Sequence, residues 1–100
     1  MSVVWSEQAL SDVMEIRDFI ARDAPRFADL FVDRIFEAVE RLTDFPLSGR
    51  QVPEFGRPDV REVLLGSYRI VYRIHEDRVA ISTVFHTARL LEPGDVPGLT

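Results

Sequence analysis

The order in which hydrophobic patterns follow one another is the feature of this sequence that most restricts its fold. Two segments with apolar residues at helical spacing come first, from Glu7 to about Arg22 and from Pro25 to about Asp44. Three runs rich in β-branched and aromatic residues follow, Val60 to Leu65, Tyr68 to His75 and Arg78 to His86. Helices that precede consecutive strands favour an antiparallel sheet with the helices packed on one face. The pattern therefore predicts an α+β fold.

The segment before the first helix adds one more strand to this prediction. Val3 to Trp5 is a short β-prone run, and Ser6 after it is suited to cap a helix. Pro25 suits the first position of the second helix, because its missing N–H would have no partner there. We therefore predict a short N-terminal strand, a two-helix hairpin and an antiparallel sheet with three C-terminal strands.

Length and composition predict a single domain over residues 1–100. A chain of 100 residues of which 46% are hydrophobic can close one core. Residues 46–59 are rich in proline and glycine and show no periodicity, and we interpret them as a loop. Residues 90–100 have a similar composition and are expected to form a flexible tail.

Several classes of function are disfavoured by what the sequence lacks. There is no cysteine, and His75 and His86 form no metal-binding motif, so we predict neither a metal nor a cofactor. No signal peptide or membrane span is suggested, and we expect a cytoplasmic protein without a membrane partner. The net charge of −5 argues against binding nucleic acid over the whole surface, and sequence-specific nucleic-acid binding is not expected.

Positive charge is concentrated in the second half of the chain. Residues 1–48 carry ten acidic residues against five arginines, whereas residues 61–89 carry five arginines against three acidic residues. All twelve basic residues are arginines, which stay protonated and make planar, bidentate contacts. If the function is electrostatic, the second half of the chain carries it.

The last two β-prone runs predict a hairpin whose two faces differ in chemistry. With Glu76-Asp77 as a two-residue turn, the predicted cross-strand pairs are His75–Arg78, Arg73–Ala80, Val71–Ser82 and Arg69–Val84. The face predicted to pack on the helices holds Tyr68, Ile70, Tyr72, Ile74, Val79, Ile81, Thr83 and Phe85. The open face holds Arg69, Val71, Arg73, His75, Arg78, Ala80, Ser82, Val84 and His86. Arginines on an open face are compatible with a solvated surface and with a binding surface.

Some apolar side chains of the helices fall outside the predicted core stripes. Projection at about 100° per residue directs Leu10, Met14 and Leu30 away from the core and puts Phe27 and Phe36 at its margins. These are ordinary exposed apolar residues, or they form a docking patch for an amphipathic segment of a partner. The sequence leaves both interpretations open.

Several short motifs, in a fixed order, carry a resemblance to a known family. They are Trp5-Ser6 before Ala9 and Asp12, Pro25 at the start of the second helix, Pro46-x-x-Gly49-Arg50, Arg61-Glu62, Tyr68 to Ile74, and Val84 to Arg89. In order and spacing they resemble the toxins of the RelE and ParE superfamily, which are the poison components of type II toxin–antitoxin modules. The resemblance covers nearly the whole chain and implies the same α+β fold.

One activity implied by the resemblance is RNA cleavage. RelE-like toxins are ribosome-dependent mRNA endonucleases, and they tend to be strongly basic with a catalytic tyrosine or histidine near the end. This chain is acidic, has no lysine, and carries Leu90-Leu91 where a terminal tyrosine would be sought. If it were an endonuclease, the groups available for acid–base chemistry and phosphate stabilisation would be Arg61, Arg69, Arg73, His86 and Arg89.

The other activity is inhibition by binding, and ParE-like toxins resemble this chain more closely. The similarity lies in the helical hairpin, the Pro-x-x-Gly-Arg loop and the strand from Tyr68 to Ile74. Such toxins poison DNA gyrase without chemistry of their own, which implies a protein that is not an enzyme. The target-binding residues would then be the same exposed group, Arg61, Arg69, Arg73, His86 and Arg89.

The resemblance also implies a partner, a ParD-like antitoxin whose C-terminal segment lies along the helical hairpin and reaches the sheet. The helical projection supplies the apolar side chains on which that segment would sit, Leu10, Met14, Phe27 and Leu30. A third alternative is a non-toxic binding module on the same fold, because a fold alone does not determine an activity.

Overall fold

The structure, a computed structural model, describes residues 1–99 of the chain and has the predicted order of elements. After strand β1 (Ser2–Trp5) come helices α1 (Glu7–Ala21) and α2 (Pro25–Glu40), a 3-10 turn (Arg41–Thr43), strands β2 (Arg50–Gln51), β3 (Val60–Leu65), β4 (Tyr68–Ile74) and β5 (Arg78–His86), and a second 3-10 turn (Pro93–Asp95). The short β2 lies within the stretch predicted to be a loop. The α+β prediction, with its helical hairpin and three C-terminal strands, is confirmed.

Both helices begin at the residues that the sequence indicates. The Ser6 side-chain oxygen accepts a hydrogen bond from the Ala9 N–H at 2.9 Å and so caps α1. Pro25 occupies the first turn of α2, where its missing N–H costs nothing. Helix α1 ends at Ala21 and α2 begins at Pro25, so only residues 22–24 connect them, and the helices pack against each other as a hairpin.

The sheet has five strands in the order β1-β5-β4-β3-β2. Strand β1 runs parallel to β5, and the other neighbours are antiparallel. The last strand of the chain therefore lies second in the sheet, between the N-terminal strand and β4. This parallel pairing makes the N-terminal strand one edge of the sheet.

Apolar residues form a core on each face of the sheet rather than on one. The helix-side core contains Ile35, Tyr72 and Ile81 together with the buried stripes of both helices. A second core on the other face is built from Val52, Val60, Val71, Phe85, Leu91 and Val96. The face predicted to be open is thus partly covered by the loop before β3 and by the chain after β5.

The C-terminal stretch differs from the predicted flexible tail. Leu91 and Val96 are only 4% and 2% exposed, and the Leu91 N–H donates to the Glu54 carboxylate at 2.7 Å. Three apolar residues among the prolines and glycines, the third being Leu99, reach back onto the sheet and are the physical reason for the difference. Thr100 lies outside the described residues.

A β-bulge changes the predicted register of the hairpin. Arg73 pairs with Ala80 as predicted, but Val71 pairs with Thr83, which leaves Ser82 as an extra residue in β5. The observed pairs beyond the bulge are Ile70–Val84, Arg69–Phe85 and Tyr68–His86. The predicted faces of Val84, Phe85 and His86 are therefore wrong. Val84 belongs to the helix-side core and Phe85 to the second core.

An acidic side chain of α1 stabilises this bulge. One oxygen of Asp12 accepts hydrogen bonds from the Thr83 hydroxyl at 2.6 Å and from the Val84 N–H at 3.0 Å. The other oxygen accepts from the Gln8 amide at 2.8 Å. A bulge leaves ladder groups without strand partners, and here a helix side chain satisfies them.

Candidate functional site

Arg69, predicted to be exposed on the open face, is instead buried. It is 5% exposed, and its Nη1 and Nη2 atoms donate to the two Glu54 oxygens at 2.7 and 2.8 Å. Its Nε atom donates to Glu62, whose side chain is fully buried. The prediction that Arg69 belongs to an exposed group is therefore wrong, because two carboxylates from separate segments enclose it.

The ionised side chains of this cluster shift the pKa values of one another. The Arg69 guanidinium hydrogen-bonded to Glu54 lowers the pKa of that carboxyl from 4.5 to about 2. The same contact raises the pKa of Arg69 above its ordinary value. Arg50 donates from Nε to Glu62 at 2.6 Å, so that four charged groups compensate one another. The cluster joins the loop before β3, strands β3 and β4, and the C-terminal stretch.

Arg73 also makes contacts within the protein. Its Nε donates to Asp59 at 3.1 Å and its Nη1 to the Pro97 carbonyl at 3.3 Å. Arg57 shares Asp59, and its hydrogen bonds, ahead of the Arg73 contact, lower the pKa of the Asp59 carboxyl. The Arg73 side chain is 19% exposed, so part of it remains accessible to a partner.

Arg61 and Arg89, unlike Arg69, are at least partly exposed. Arg61 donates to the carbonyls of Pro58 and Gly49, both at 2.9 Å, and has no carboxylate partner within residues 1–99. Arg89 pairs with Asp95 at 2.8 Å, and its side chain is 53% exposed. Its guanidinium also lies 4.7 Å from the centre of the Phe85 ring, a cation–π contact.

His86 lies apart from most of these arginines. Its ring packs edge-on against Tyr68 with 5.7 Å between ring centres, on the helix side of the sheet. Its Nδ1 atom accepts from the Ala88 N–H at 3.1 Å, which leaves Nε2 as the ring N–H. Arg89 lines the same shallow groove, together with the carboxylates of Asp12 and Glu15. The structure thus brings His86 and Arg89 together and places Arg61 and Arg73 elsewhere.

The apolar residues predicted to receive an antitoxin are exposed. The exposed fractions of Leu10, Met14, Phe27 and Leu30 are 43%, 53%, 47% and 47%. The ion pair between Arg17 and Asp29, at 3.0 Å, identifies the side of α2 that faces α1. Projection puts Phe27 and Leu30 on the opposite flank of α2. The four residues therefore form two patches, one on α1 and one on the far side of α2.

Sequence reasoning missed an exposed apolar group near β3. Leu64 is 48% exposed, and Leu90 is 75% exposed in the same groove. The signal for it is present in the sequence, because Val63-Leu64-Leu65 is an unbroken apolar run within a strand. Strand side chains alternate between faces, so such a run makes both faces apolar.

Two further observations concern other kinds of site. Among residues 1–99, no three histidine, aspartate or glutamate side chains converge as possible metal ligands. In the same part of the chain, no helix combines the length and the apolar character needed to cross a bilayer.

Comparisons with known proteins agree with one another. Residues 3–91 match the family described as "ParE toxin of type II toxin-antitoxin system, parDE". Toxin RelE2 of Caulobacter vibrioides is 34% identical over 89 residues, which are 88% of this chain and 97% of that protein.

Two solved structures are similar in fold. The first, described as a chromosomal ParDE toxin–antitoxin system from P. aeruginosa, is 25% identical with a TM-score of 0.73, over 86% of this chain and 95% of the other. The second, the RelBE2 toxin–antitoxin complex from Mycobacterium tuberculosis, is 22% identical with a TM-score of 0.61, over 85% and 95%. The chain therefore belongs to the ParE toxin family, within the RelE/ParE superfamily of toxins from type II toxin–antitoxin systems.

Proposed function

We propose that this toxin inhibits DNA gyrase by binding to it, without catalysing a reaction, and that a ParD-like antitoxin neutralises it. The residues available to contact the target are Arg61, Arg73, His86 and Arg89. Arg69, which the sequence analysis included in this group, is buried and stabilises the surrounding structure rather than contacting the target.

The dispersal of the candidate catalytic groups is the observation that carries this proposal. Cleavage of RNA by a ribose oxygen needs a base, an acid and positive charge around a single phosphate. Arg69 is buried in ion pairs, and His86 lies in a groove that also holds Asp12 and Glu15. Two carboxylates beside the histidine would repel a phosphate, which favours a protein partner over an RNA substrate.

The gyrase proposal is tested with purified protein. Increasing amounts of toxin are added to gyrase and relaxed plasmid, and supercoiling and cleavage complexes are measured on agarose gels. We expect supercoiling to be lost and cleavage complexes to accumulate.

In parallel, the protein is induced in cells without its antitoxin, and the ends of translated mRNAs are mapped. Intact messages together with inhibited gyrase support the proposal, whereas cuts in translated messages contradict it.

A relative named toxin RelE2, at 34% identity, is the reason to keep RNA cleavage as the second candidate. His86 is then the acid–base residue and Arg89 the phosphate ligand, since they share one groove. In that case a His86→Ala variant loses mRNA cleavage while remaining folded. Absence of any growth defect on induction would instead favour the non-toxic binding module.

The antitoxin surface is tested by a pair of substitutions on α1. Leu10→Asp together with Met14→Asp replaces two exposed apolar side chains by charges. Loss of anchors from a packed interface costs about 2 kcal/mol or more each, so we expect antitoxin affinity to fall by a factor of roughly 1,000 for the two together. Calorimetric titration with the antitoxin measures this, with Ser11→Asp, at another exposed position of the same helix, as the control variant. Unchanged affinity would show that Leu10 and Met14 lie outside the interface.

A further inference from the structure

Two cavities meet on the second-core face of the sheet, beside the C-terminal stretch. The larger, of about 390 Å³, is lined by residues of β1, β4, β5 and the C-terminal stretch. The smaller, of about 280 Å³, lies between the start of α1 and the same stretch. Ser6, Ser82 and Pro97 line both cavities, which therefore form one groove with these three residues at its junction. The volume of the larger cavity alone is in the range of small-molecule binding sites.

The floor of the larger cavity is a row of residues across three strands. Val4 of β1 and Arg73 of β4 both pair with Ala80 of β5, which lies between them. Side chains of paired residues in neighbouring strands share one face of the sheet. The short Ala80 side chain between two longer ones leaves a depression. Val4 is 49% exposed, so the apolar part of the groove is open to a ligand.

The β-bulge places a hydroxyl group at the junction of the two cavities. Ser82, the extra residue of the bulge, is only 4% exposed. Its carbonyl accepts a hydrogen bond from the Ser6 hydroxyl at 2.9 Å, but within residues 1–99 its own hydroxyl has no partner. In the same part of the chain, every fully enclosed side-chain nitrogen or oxygen has a partner, so this hydroxyl opens into the groove. Buried polar groups are normally hydrogen-bonded, and a ligand would satisfy this one.

Arg73 brings a second unused donor to the junction. Its Nε donates to Asp59 at 3.1 Å and its Nη1 to the Pro97 carbonyl at 3.3 Å, whereas its Nη2 makes no hydrogen bond among the described residues. Because Pro97 lines both cavities, the guanidinium lies at the end of the larger cavity next to Ser82. Arginine stays protonated, so this donor also carries positive charge.

The start of α1 adds backbone donors on the other side of the junction. Ser6 and Gln8 line the smaller cavity. The Ala9 N–H donates to the Ser6 side chain, whereas the N–H groups of Glu7 and Gln8 precede the first hydrogen bond within the helix. Amides at the start of a helix carry a partial positive charge and favour anions.

Acceptors around the groove are already occupied. The Ile81 carbonyl accepts from the Ser6 N–H at 3.0 Å. Asp95 is the one carboxylate that lines either cavity within residues 1–99. It accepts from the Arg89 side chain at 2.8 Å and from the Glu92 N–H at 2.9 Å. The unused groups are therefore donors, and a ligand that matches them supplies acceptors, as an anion does.

We propose that this groove binds a small organic anion, a phosphate monoester or a carboxylate with an apolar body. The acidic group accepts hydrogen bonds from the Ser82 hydroxyl and from Arg73 Nη2, beside the start of α1. The apolar body lies on Val4 and Ala80. Such a site is independent of the identity of the toxin's target, and it shares only Arg73 with the residues proposed to contact that target.

The test is a titration of the ¹⁵N-labelled protein, followed by NMR, with four probes. Phenyl phosphate and benzoate combine an acidic group with an apolar body, benzyl alcohol has no charge, and inorganic phosphate has no apolar body. We expect at least one of the two aromatic anions to shift the amide resonances of Ala80, Ser82 and Gly98 saturably. It should bind about tenfold more tightly than benzyl alcohol and inorganic phosphate. The tighter of the two anions identifies the acidic group that the site prefers.

Matched variants locate the bound anion. Ser82→Ala removes only the hydroxyl, and we expect it to raise the dissociation constant about tenfold, through loss of one hydrogen bond to a charged group. Ala80→Leu fills the floor of the larger cavity and should abolish binding. Ser11→Ala, at an exposed position of α1, is the control and should leave the dissociation constant unchanged. Thermal unfolding checks that each variant folds.

Several results would overturn the proposal. Equal binding of benzyl alcohol would show a merely apolar groove, and equal binding of inorganic phosphate would show that the apolar floor takes no part. An unchanged dissociation constant in both Ser82→Ala and Ala80→Leu would place the anion elsewhere. The absence of saturable shifts at Ala80, Ser82 and Gly98 with either aromatic anion would also exclude the site.

Discussion

Replacing Arg69 tests whether the buried cluster of ionised groups stabilises the fold. Arg69→Met keeps an apolar stem of similar length but removes three charge-assisted hydrogen bonds, two to Glu54 and one to Glu62. The fully buried Glu62 then has only Arg50 as a partner. Breaking a buried ion pair by removing one side costs about 3–5 kcal/mol. Since Arg50 and the Leu91 N–H retain part of the compensation, we expect about 3 kcal/mol.

Urea denaturation followed by far-UV circular dichroism measures this change. A loss of about 3 kcal/mol corresponds to a fall in Tm of roughly 12–24 °C for a domain of this size. The control is Arg78→Met, because the Arg78 side chain is 44% exposed and pairs only with Asp77, so it should change stability by less than about 0.5 kcal/mol. Adding Glu62→Gln to Arg69→Met should restore part of the stability, because the uncompensated charge is removed. A loss of stability below about 1 kcal/mol for Arg69→Met would refute the reasoning. Arg69 would then again be a candidate for contacting the target.

Three further outcomes are expected. The carboxyl of Glu54 has a pKa of about 2 in the folded state against 4.5 unfolded, so its contribution to stability, up to about 3 kcal/mol, is complete above pH 4.5 and is lost as the pH falls towards 2. Urea midpoints between pH 2 and 6 should therefore rise with pH, and should rise less in Glu54→Gln. Gly49→Ala should cost about 1–3 kcal/mol, because its Cβ would meet the Glu62 carbonyl, and an unchanged Tm would contradict this packing. Asp12→Ala should lower the free energy of unfolding by about 1–3 kcal/mol, because the Val84 N–H and the Thr83 hydroxyl lose their acceptor, and urea denaturation measures this. Asp12→Asn should lower it by only part of that amount.

The elements of the fold are readable from the sequence because their signals are local. Helical spacing, the Ser6 cap and Pro25 identify both helices, and the turn at Glu76-Asp77 gives the correct pairing of Arg73 with Ala80. These features depend on neighbours in the chain. They can therefore be predicted without knowing what packs on them.

The features that were predicted wrongly depend on contacts between different elements of the fold. The bulge at Ser82 has no local signature, because the β-prone pattern continues through it, and Asp12, which satisfies it, is about seventy positions away. A single extra residue exchanges the faces of all residues beyond it, and this is why the faces of Phe85 and His86 were predicted wrongly. The burial of Arg69 depends on Glu54 and Glu62, which lie 15 and 7 residues away on other elements.

The packing of the C-terminal stretch has a genetic consequence. Because Leu91 and Val96 complete the second core, a stop codon anywhere between positions 88 and 96 removes part of a core, not a dispensable extension. Selection for cells that survive induction of the toxin should therefore recover late nonsense and frameshift alleles alongside substitutions in the sheet. For the same reason, a tag fused after the last strand in place of this stretch would give an inactive protein, which could be mistaken for a non-toxic one.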